Sequence, residues 1–307
     1  MSSIGEMSLE ERILLEQRLL GRRKAGAKHG PTAIPPRKGT AEPCDLSFAQ
    51  NRLWLVEHLN PVAGNYNICR VYRIRGALDQ AAMQAALDAL VERHEALRTR
   101  LVMRTGEPRQ IVEDRQGVSV QTLDLRHCGE DARKAELDAF IRRNTRAAFD
   151  LSADCMLRAG LAQLSDEEFV LAIVMHHIAS DGWSLSVLDR ELEILYSGFA
   201  SGTAATLPPL PIQYSDYAVW QRSWLSGAVL EDQLGYWRGQ LSGLVPLELP
   251  ADRARPAQLS YRGDIERFEL PGELTAALKA LARQHNATLY MVLLAAFQVL
   301  LMRYSGQ

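Results

Sequence analysis

Two adjacent histidines, followed closely by an aspartate and a glycine, are the side chains of this chain best suited to chemistry. They belong to the run HHIASDG at residues 176–182. Imidazole titrates near neutral pH, so a positioned histidine can take a proton from a nucleophile or orient that nucleophile by a hydrogen bond. The run therefore indicates a candidate catalytic imidazole. A hydrogen-bonded core histidine at the end of a strand is the alternative.

The elements on either side of this run determine how its side chains are presented. The apolar residues 169–174 predict a buried strand, and residues 184–196 predict a helix. Successive side chains of a strand point to opposite faces, so His176 and His177 must diverge, and only one of them can enter a given cavity. Because they diverge, they cannot chelate one ion with Asp181 unless the strand bulges, and no metal site is predicted.

Composition limits the class of protein. A chain of 307 residues is long enough for one large or two medium domains, and 47% hydrophobic with 23% charged residues is usual for a soluble protein. The net charge of -2 gives no reason to expect a nucleic acid partner. No apolar run has the length of a membrane span, so no membrane partner is expected. The widely spaced cysteines predict reduced thiols in a cytoplasmic protein rather than a zinc site or a disulfide framework. These cysteines are Cys44, Cys69, Cys128 and Cys155.

The first 44 residues are predicted to lie outside the globular part. The sequence SLEE at residues 8–11 is a capping box that opens a helix ending near Leu20, so residues 1–22 form an N-terminal helix that could be a docking element. A basic, proline-containing linker follows at residues 23–44. A solvated spacer is the favoured interpretation of this linker, and a basic binding patch is the alternative.

From Asp45 onward, strands and helices alternate, which predicts an α/β fold with helices layered on sheet. Strands are predicted near residues 67–75, 98–103, 109–113, 118–123, 156–164 and 168–177. Helices are predicted near residues 79–94, 130–149, 184–196, 212–224, 230–241, 273–285 and 288–304. A further strand is predicted at residues 262–270, where a second α/β unit would start.

Four motifs carry a resemblance to a known family. They are SFAQNRLW at residues 47–54, RHEALRT at 93–99, HHIASDG at 176–182 and YSDYAVWQR at 214–222. In this order they resemble the core motifs of condensation domains from nonribosomal peptide synthetases, which belong to the chloramphenicol-acetyltransferase-like superfamily. The resemblance implies a first acetyltransferase-like lobe at residues 45–200, with a mixed sheet flanked by helices. Residues 201–307 would form a connector and an incomplete second lobe, because the chain ends before the later motifs of the family.

The resemblance also implies an activity. Condensation domains join an acyl or peptidyl thioester on an upstream peptidyl carrier protein to the amine of an aminoacyl thioester on a downstream one. The domain would bind no cofactor itself, since its substrates arrive on the 4'-phosphopantetheine arms of the carriers. An adjoining adenylation domain is the other expected partner.

The site residues follow from the same resemblance. His177 would take the amine proton or orient the amine, and His176 would support the turn. Gly182 would allow a close approach of backbone or substrate. Asp181 could orient His177, but the resemblance implies a buried pair with an arginine.

The remaining residues of the site are expected to act in support. Arg98 is the expected partner of Asp181, and Arg93 is the other candidate. Trp183 is expected to pack against its surroundings. Ser184 or Ser186 is expected to cap the following helix.

Three functions remain open. The first is amide-bond formation, and the second is a related acyltransferase or epimerisation domain. The third is a non-catalytic platform that binds carrier proteins. The intact HHxxxDG argues against heterocyclisation domains of the family. Tyr217, Trp220 and Trp224 recur at helical spacing, which favours an aromatic core face over a ligand-binding box.

Overall fold

The computed structural model describes residues 33–37, 42–59, 64–114, 117–254, 256, 263 and 265–307. The predicted N-terminal docking helix and most of the basic linker lie outside the described residues. The described chain divides into a unit from Thr32 to Gly227 and a second unit, whose described part begins at Ala228. Each unit is described by itself below.

The unit from Thr32 to Gly227 alternates strands and helices, as the sequence predicts. Its strands are β1 (Cys44–Asp45), β2 (Asn67–Arg75), β3 (Thr99–Arg104), β4 (Glu107–Val112), β5 (Ser119–Asp124), β6 (Leu157–Ser165) and β7 (Glu168–His176). Its helices are α1 (Phe48–Leu59), α2 (Gln80–Arg93), α3 (Glu130–Arg146), α4 (Gly182–Ser201) and α5 (Tyr214–Trp224), with a 3-10 turn at Glu95–Arg98.

The larger sheet of this unit has the strand order β2-β7-β6-β5. Strand β7 pairs antiparallel with β2 and β6, and β5 pairs parallel with β6. Strands β6 and β7 therefore form a hairpin, and the sheet is mixed. A smaller antiparallel sheet has the order β1-β4-β3.

Helices cover both faces of the larger sheet, which is why β7 is a nearly continuous apolar run. Leu171 and Ile173 of β7 pack in one cluster with Leu90 of α2 and Leu188 of α4. On the other face, Val170 belongs to a second cluster that includes residues of α3. Burial of each large aliphatic side chain contributes roughly 1.5–3 kcal/mol. These clusters fix the strand that leads to the double histidine.

Helix α3 approaches the sheet closely at Gly160 of β6. A Cβ at this position would lie 2.9 Å from Phe140 and 2.9 Å from Asn144, both on α3. Only glycine leaves room for this contact, because the Phe140 and Asn144 side chains are buried. The packing distance between α3 and the sheet is therefore set by the absence of a side chain.

The unit that begins at Ala228 is helical in its described part. It contains most of α6 (Gly227–Gln240), α7 (Gly272–Gln284) and α8 (Leu289–Ser305). Residues 265–270 have no regular secondary structure and pair with no other described strand, so the predicted strand at 262–270 is wrong over its described part. A strand requires a neighbouring strand to accept its hydrogen bonds, and the described residues provide none here.

No single described helix is long and apolar enough to cross a membrane. The pair formed by α7 and α8 passes this test of length and composition when taken together, but it is bent by 105° at the break.

Candidate functional site

His177 lies immediately after β7, and its side chain is exposed. Its backbone amide donates to the carbonyl of Tyr66 (2.8 Å), which holds the residue at the end of β7. Its Nδ1 lies 2.7 Å from the carbonyl oxygen of Ser180. A carbonyl oxygen can only accept, so Nδ1 carries the hydrogen, and in the neutral ring Nε2 keeps a free lone pair. The exposed ring therefore has an unprotonated nitrogen available.

His176 has the opposite environment, because its side chain is only 1% exposed. The rings of Phe149 and Tyr66 meet its ring edge-on, at centroid distances of 5.8 and 6.3 Å. Its Nδ1 accepts from the amide of Ile178 (3.1 Å), and its carbonyl accepts from the hydroxyl of Ser180 (3.1 Å). His176 thus holds the turn from inside, while His177 is presented outside it.

Asp181 is the N-cap of α4. Its Oδ1 accepts from the backbone N–H of Ser184 (2.9 Å) and from the hydroxyl of Ser184 (2.8 Å). The amide of Asp181 donates in return to the Ser184 hydroxyl (3.1 Å), which completes a capping box. The backbone hydrogen bond from Ser184, and then that from its side chain, hold the pKa of Asp181 below its ordinary value.

The predicted pair of Asp181 with an arginine is therefore wrong. The guanidinium of Arg98 donates to the carbonyls of Glu92 and Glu113 and lies 3.8 Å from the Glu95 carboxylate. The predicted caps, Ser184 and Ser186, are also wrong, since Ser184 occupies the third position of the helix and only supports the cap. An aspartate that precedes a helix can accept hydrogen bonds from the free amides of the first turn, and Asp181 does so here with the amide of Ser184.

Arg93, the other candidate partner, contacts α4 at a different place. Its Nε lies 3.0 Å from Oε2 of Glu191, a residue whose side chain is 4% exposed. Nε2 of His94 lies 2.7 Å from the same oxygen, and Arg93 also donates to the carbonyl of Pro208. The buried Glu191 and these two partly buried partners connect the end of α2 to α4. Glu191 was not predicted from the sequence, although an acid on the same helical face as Leu188 and Leu192 is a signal for a buried ion pair.

The second and fourth sequence motifs meet through Gln213, directly before α5. Its side-chain amide donates to the carbonyl of Arg93 (3.0 Å), and its side-chain oxygen accepts from the amide of Glu95 (3.1 Å). The hydroxyl of Ser215 donates to the Glu95 carboxylate (3.2 Å). Although α5 falls in the segment 201–307 that was expected to be a connector and second lobe, these bonds attach it to the unit from Thr32 to Gly227.

The first motif meets the fourth in a similar way. The hydroxyls of Ser47 and Tyr214 lie 2.9 Å apart, and the amide of Phe48 donates to the side chain of Gln221 (3.0 Å). The guanidinium of Arg222 stacks on the Phe48 ring at 4.2 Å and donates to the carbonyl of Leu46 (2.8 Å). Three of the four motifs therefore form one connected structural network.

Tyr217, Trp220 and Trp224 follow one another along α5. Neighbouring ring centroids are 6.0 and 5.2 Å apart, and all three side chains are partly buried. The three rings contact one another along the helix, but they belong to none of the buried clusters of the described unit, so the predicted core face is wrong.

A cavity of about 330 Å³ opens beside the turn that carries His177. Ala179, Ser180 and Ser184 line it together with Met175 and Tyr214. Trp183 forms part of its wall and is 83% exposed, so the expectation that this side chain packs inside is wrong. Its position in the first turn of α4 directs it away from the core, which lies against the opposite side of that helix.

The mixed sheet, the helices on both of its faces and the turn that presents one histidine define a chloramphenicol-acetyltransferase-like lobe. Residues 41–307 match the condensation domain family, and the chain therefore belongs to that family. The resemblance of the four motifs is thus confirmed.

The chain is similar to parts of much longer synthetases. It is 45% identical over 267 residues to one of the subunits of linear gramicidin synthase from Brevibacillus parabrevis, covering 87% of this chain and 5% of that protein. It is 42% identical over 306 residues to phosphinothricin tripeptide synthetase PhsC from Streptomyces viridochromogenes, covering 99% of this chain and 28% of the synthetase. The chain therefore spans only a small part of these relatives.

Among solved structures, the chain is similar to the X-domain of teicoplanin biosynthesis, solved in complex with OxyB. The TM-score is 0.79 at 31% identity, over 91% of this chain and 60% of that one. The predicted α/β architecture is thereby confirmed.

Proposed function

We propose that this chain forms an amide bond between an acyl or peptidyl thioester and the amine of an aminoacyl thioester. Each substrate would be held on the 4'-phosphopantetheine arm of a carrier protein, in the cytoplasm and beside an adenylation domain. The observation that carries the proposal is the exposed His177, whose Nδ1 donates to the Ser180 carbonyl, so that Nε2 of the neutral ring keeps its lone pair. The names of the relatives, which include a gramicidin synthase and a tripeptide synthetase, support it.

The proposed chemistry follows from this tautomer. The amine nitrogen attacks the thioester carbonyl, the C–N bond forms, and the C–S bond then breaks with release of a thiolate. Nε2 of His177 accepts the proton that the amine loses and returns it to the departing sulfur. The bond from Nδ1–H to the Ser180 carbonyl stabilises the imidazolium while it carries the extra charge.

The other residues of the turn would act around this imidazole. Gly182 begins α4, and a Cβ added there would meet no atom within 4 Å, so this position leaves space for a substrate. The Asp181 cap fixes the start of the helix, and His176 fixes the turn. We therefore assign the proton transfer to His177 alone, with the other three residues in supporting roles.

The test is a condensation assay with the 307-residue chain and two loaded carrier proteins. General acid–base assistance is worth roughly 10²–10⁴-fold, so His177→Ala should lower amide formation by about that factor. His127→Ala, which changes another exposed histidine, is the matched control and should leave the rate unchanged. An unchanged rate in His177→Ala would refute the assignment.

A second candidate is a non-catalytic platform that holds another protein. The observation in its favour is the likeness to the teicoplanin X-domain, which was solved as a complex with OxyB. Under this alternative the chain would bind a loaded carrier or a tailoring enzyme, and the assay would yield no amide with either the wild-type chain or the variant. Amide formation by the wild-type chain would exclude it.

A further inference from the structure

Glu57, on the last turn of α1, extends from the wall of a second cavity toward His176. This cavity of about 550 Å³ is lined mainly by apolar groups that include Trp54, Leu101 and Phe149. Oε2 of Glu57 lies 3.1 Å from Nε2 of His176, and the two side chains are 21% and 1% exposed. Among the described residues, no aligned hydrogen bond reaches either atom. A buried N–H without an acceptor is costly, and Oε2 of Glu57 is a carboxylate oxygen within hydrogen-bond distance of this one, although the two groups are not aligned.

The neutral ring of His176 can take only one tautomer in this setting. Its Nδ1 lies 3.1 Å from the backbone nitrogen of Ile178, and an amide N–H can only donate. Nδ1 must therefore keep its lone pair, and the ring hydrogen must be on Nε2, the atom that faces Glu57. A carboxylate oxygen at this point is an acceptor, and it favours that same tautomer.

The turn transmits this choice to the second histidine. The Ile178 amide is bonded to the His176 ring, and the Ser180 hydroxyl is bonded to the His176 carbonyl. The carbonyl of the same Ser180 accepts from Nδ1 of His177. If the His176 ring changed tautomer, the Ile178 amide would lose its acceptor, and the turn that holds the Ser180 carbonyl at Nδ1 of His177 would lose one of its bonds to His176.

We propose that Glu57 is a positioning residue for the reaction. Its carboxylate keeps His176 in the Nε2–H tautomer, and through the turn it keeps His177 protonated on Nδ1 with Nε2 free. The inference rests on the proposed role of His177. It requires no contact between Glu57 and substrate.

The test uses variants that separate the acceptor from the charge. Glu57→Met is close in size and suits a helix, but it removes the acceptor. Glu57→Gln keeps an acceptor oxygen without the charge. Asp150→Asn is the matched control, since Asp150 lines the same cavity and its carboxylate is already bonded to Ser152. Nitrogen-15 labelling of the histidines in the whole chain reports which ring nitrogen of each carries a hydrogen.

In the wild-type chain we expect hydrogen on Nε2 of His176 and on Nδ1 of His177. Glu57→Met should give His177 a mixture of tautomers, and kcat should fall about ten-fold while KM stays within about two-fold. Glu57→Gln and Asp150→Asn should resemble wild type in both measurements. A merely structural role would change stability without moving the tautomer of His177.

The inference is overturned if Glu57→Met leaves the His177 tautomer unchanged, or if Glu57→Gln disturbs it equally. If Glu57→Met does not fold, Glu57→Ala, which also removes the acceptor, takes its place and is judged by the same two criteria. Absence of amide formation by the wild-type chain would refute the proposed function instead, and the tautomer measurement would still stand.

Discussion

The loss of stability on replacing Asp181 distinguishes two structural roles for this residue, a helix cap and one half of a buried ion pair. Loss of an N-cap by replacement with alanine costs about 0.5–2 kcal/mol, whereas breaking a buried ion pair costs roughly 3–5 kcal/mol. In this structure Asp181 bonds to the backbone and hydroxyl of Ser184, and the residue is exposed. We therefore expect Asp181→Ala to destabilise the start of α4 by about 1 kcal/mol. Asp181→Asn should cost less, because asparagine caps helices equally well.

Amide hydrogen exchange at Ser184 is the appropriate assay, since the chain has two units and a single unfolding midpoint would mix them. A loss of about 1 kcal/mol should make this amide exchange about five-fold faster in Asp181→Ala. The exchange rates of amides in β7 should not change, which provides an internal control. A cost of about 3 kcal/mol or more in both variants would refute the cap and restore a buried charged partner.

The pH dependence of this effect has a definite sign. The pKa of Asp181 in the folded chain is lowered by its hydrogen bonds from Ser184. The charged cap therefore contributes fully above the ordinary pKa of an aspartate and loses its contribution as pH falls through the lowered value. The difference between wild type and Asp181→Asn should accordingly disappear in acid. A difference that grows as the pH falls would contradict this reasoning.

Three further substitutions test the packing around the site. Gly160→Ala should destabilise the unit from Thr32 to Gly227 by about 1–3 kcal/mol, because the new methyl group would lie 2.9 Å from Phe140. Gly182→Ala places its methyl group in open space and should change stability little. Chemical denaturation followed by circular dichroism compares the two variants, and equal losses of stability would contradict the close packing at Gly160. Glu191→Ala takes the carboxylate from the partly buried guanidinium of Arg93 and should cost roughly 1.5–3 kcal/mol in the same measurement. A cost below about 0.5 kcal/mol would show that the pair contributes little.

Most elements of the fold could be predicted from local patterns, because burial on one or both faces imposes a period on the sequence. Strand β2 has the predicted bounds, and β7 differs from its prediction by a single residue at the end. Helix α1 was not predicted as a helix, although Ser47 and Gln50 form a reciprocal capping box at its start. The capping-box signal for this helix was present in the sequence, but residues 47–54 were interpreted only as a family motif.

The partners of charged residues could not be predicted in the same way. Asp181 bonds to a residue three positions away, so a local rule would have identified its partner, but the family resemblance favoured a distant arginine. Glu57 and Glu191 bind partners on other elements, at separations that no periodic pattern encodes. Sequence therefore specifies which groups must be satisfied, and the packing of helices on the sheet decides which group satisfies them.

The division of roles between His176 and His177 shows how these two kinds of information combine. Strand alternation requires that the two rings diverge, but it cannot say which face receives which ring. Leu171, Ile173 and Met175 point toward α2 and α4, so His176 points to the other face, where Glu57 and Phe149 enclose it. His177 then falls on the first residue past the strand, and its ring bonds back to the Ser180 carbonyl. Strand alternation thus places the two rings on opposite faces, the packing of the helices determines which face each ring takes, and the hydrogen bonds of the turn determine the tautomer of each ring.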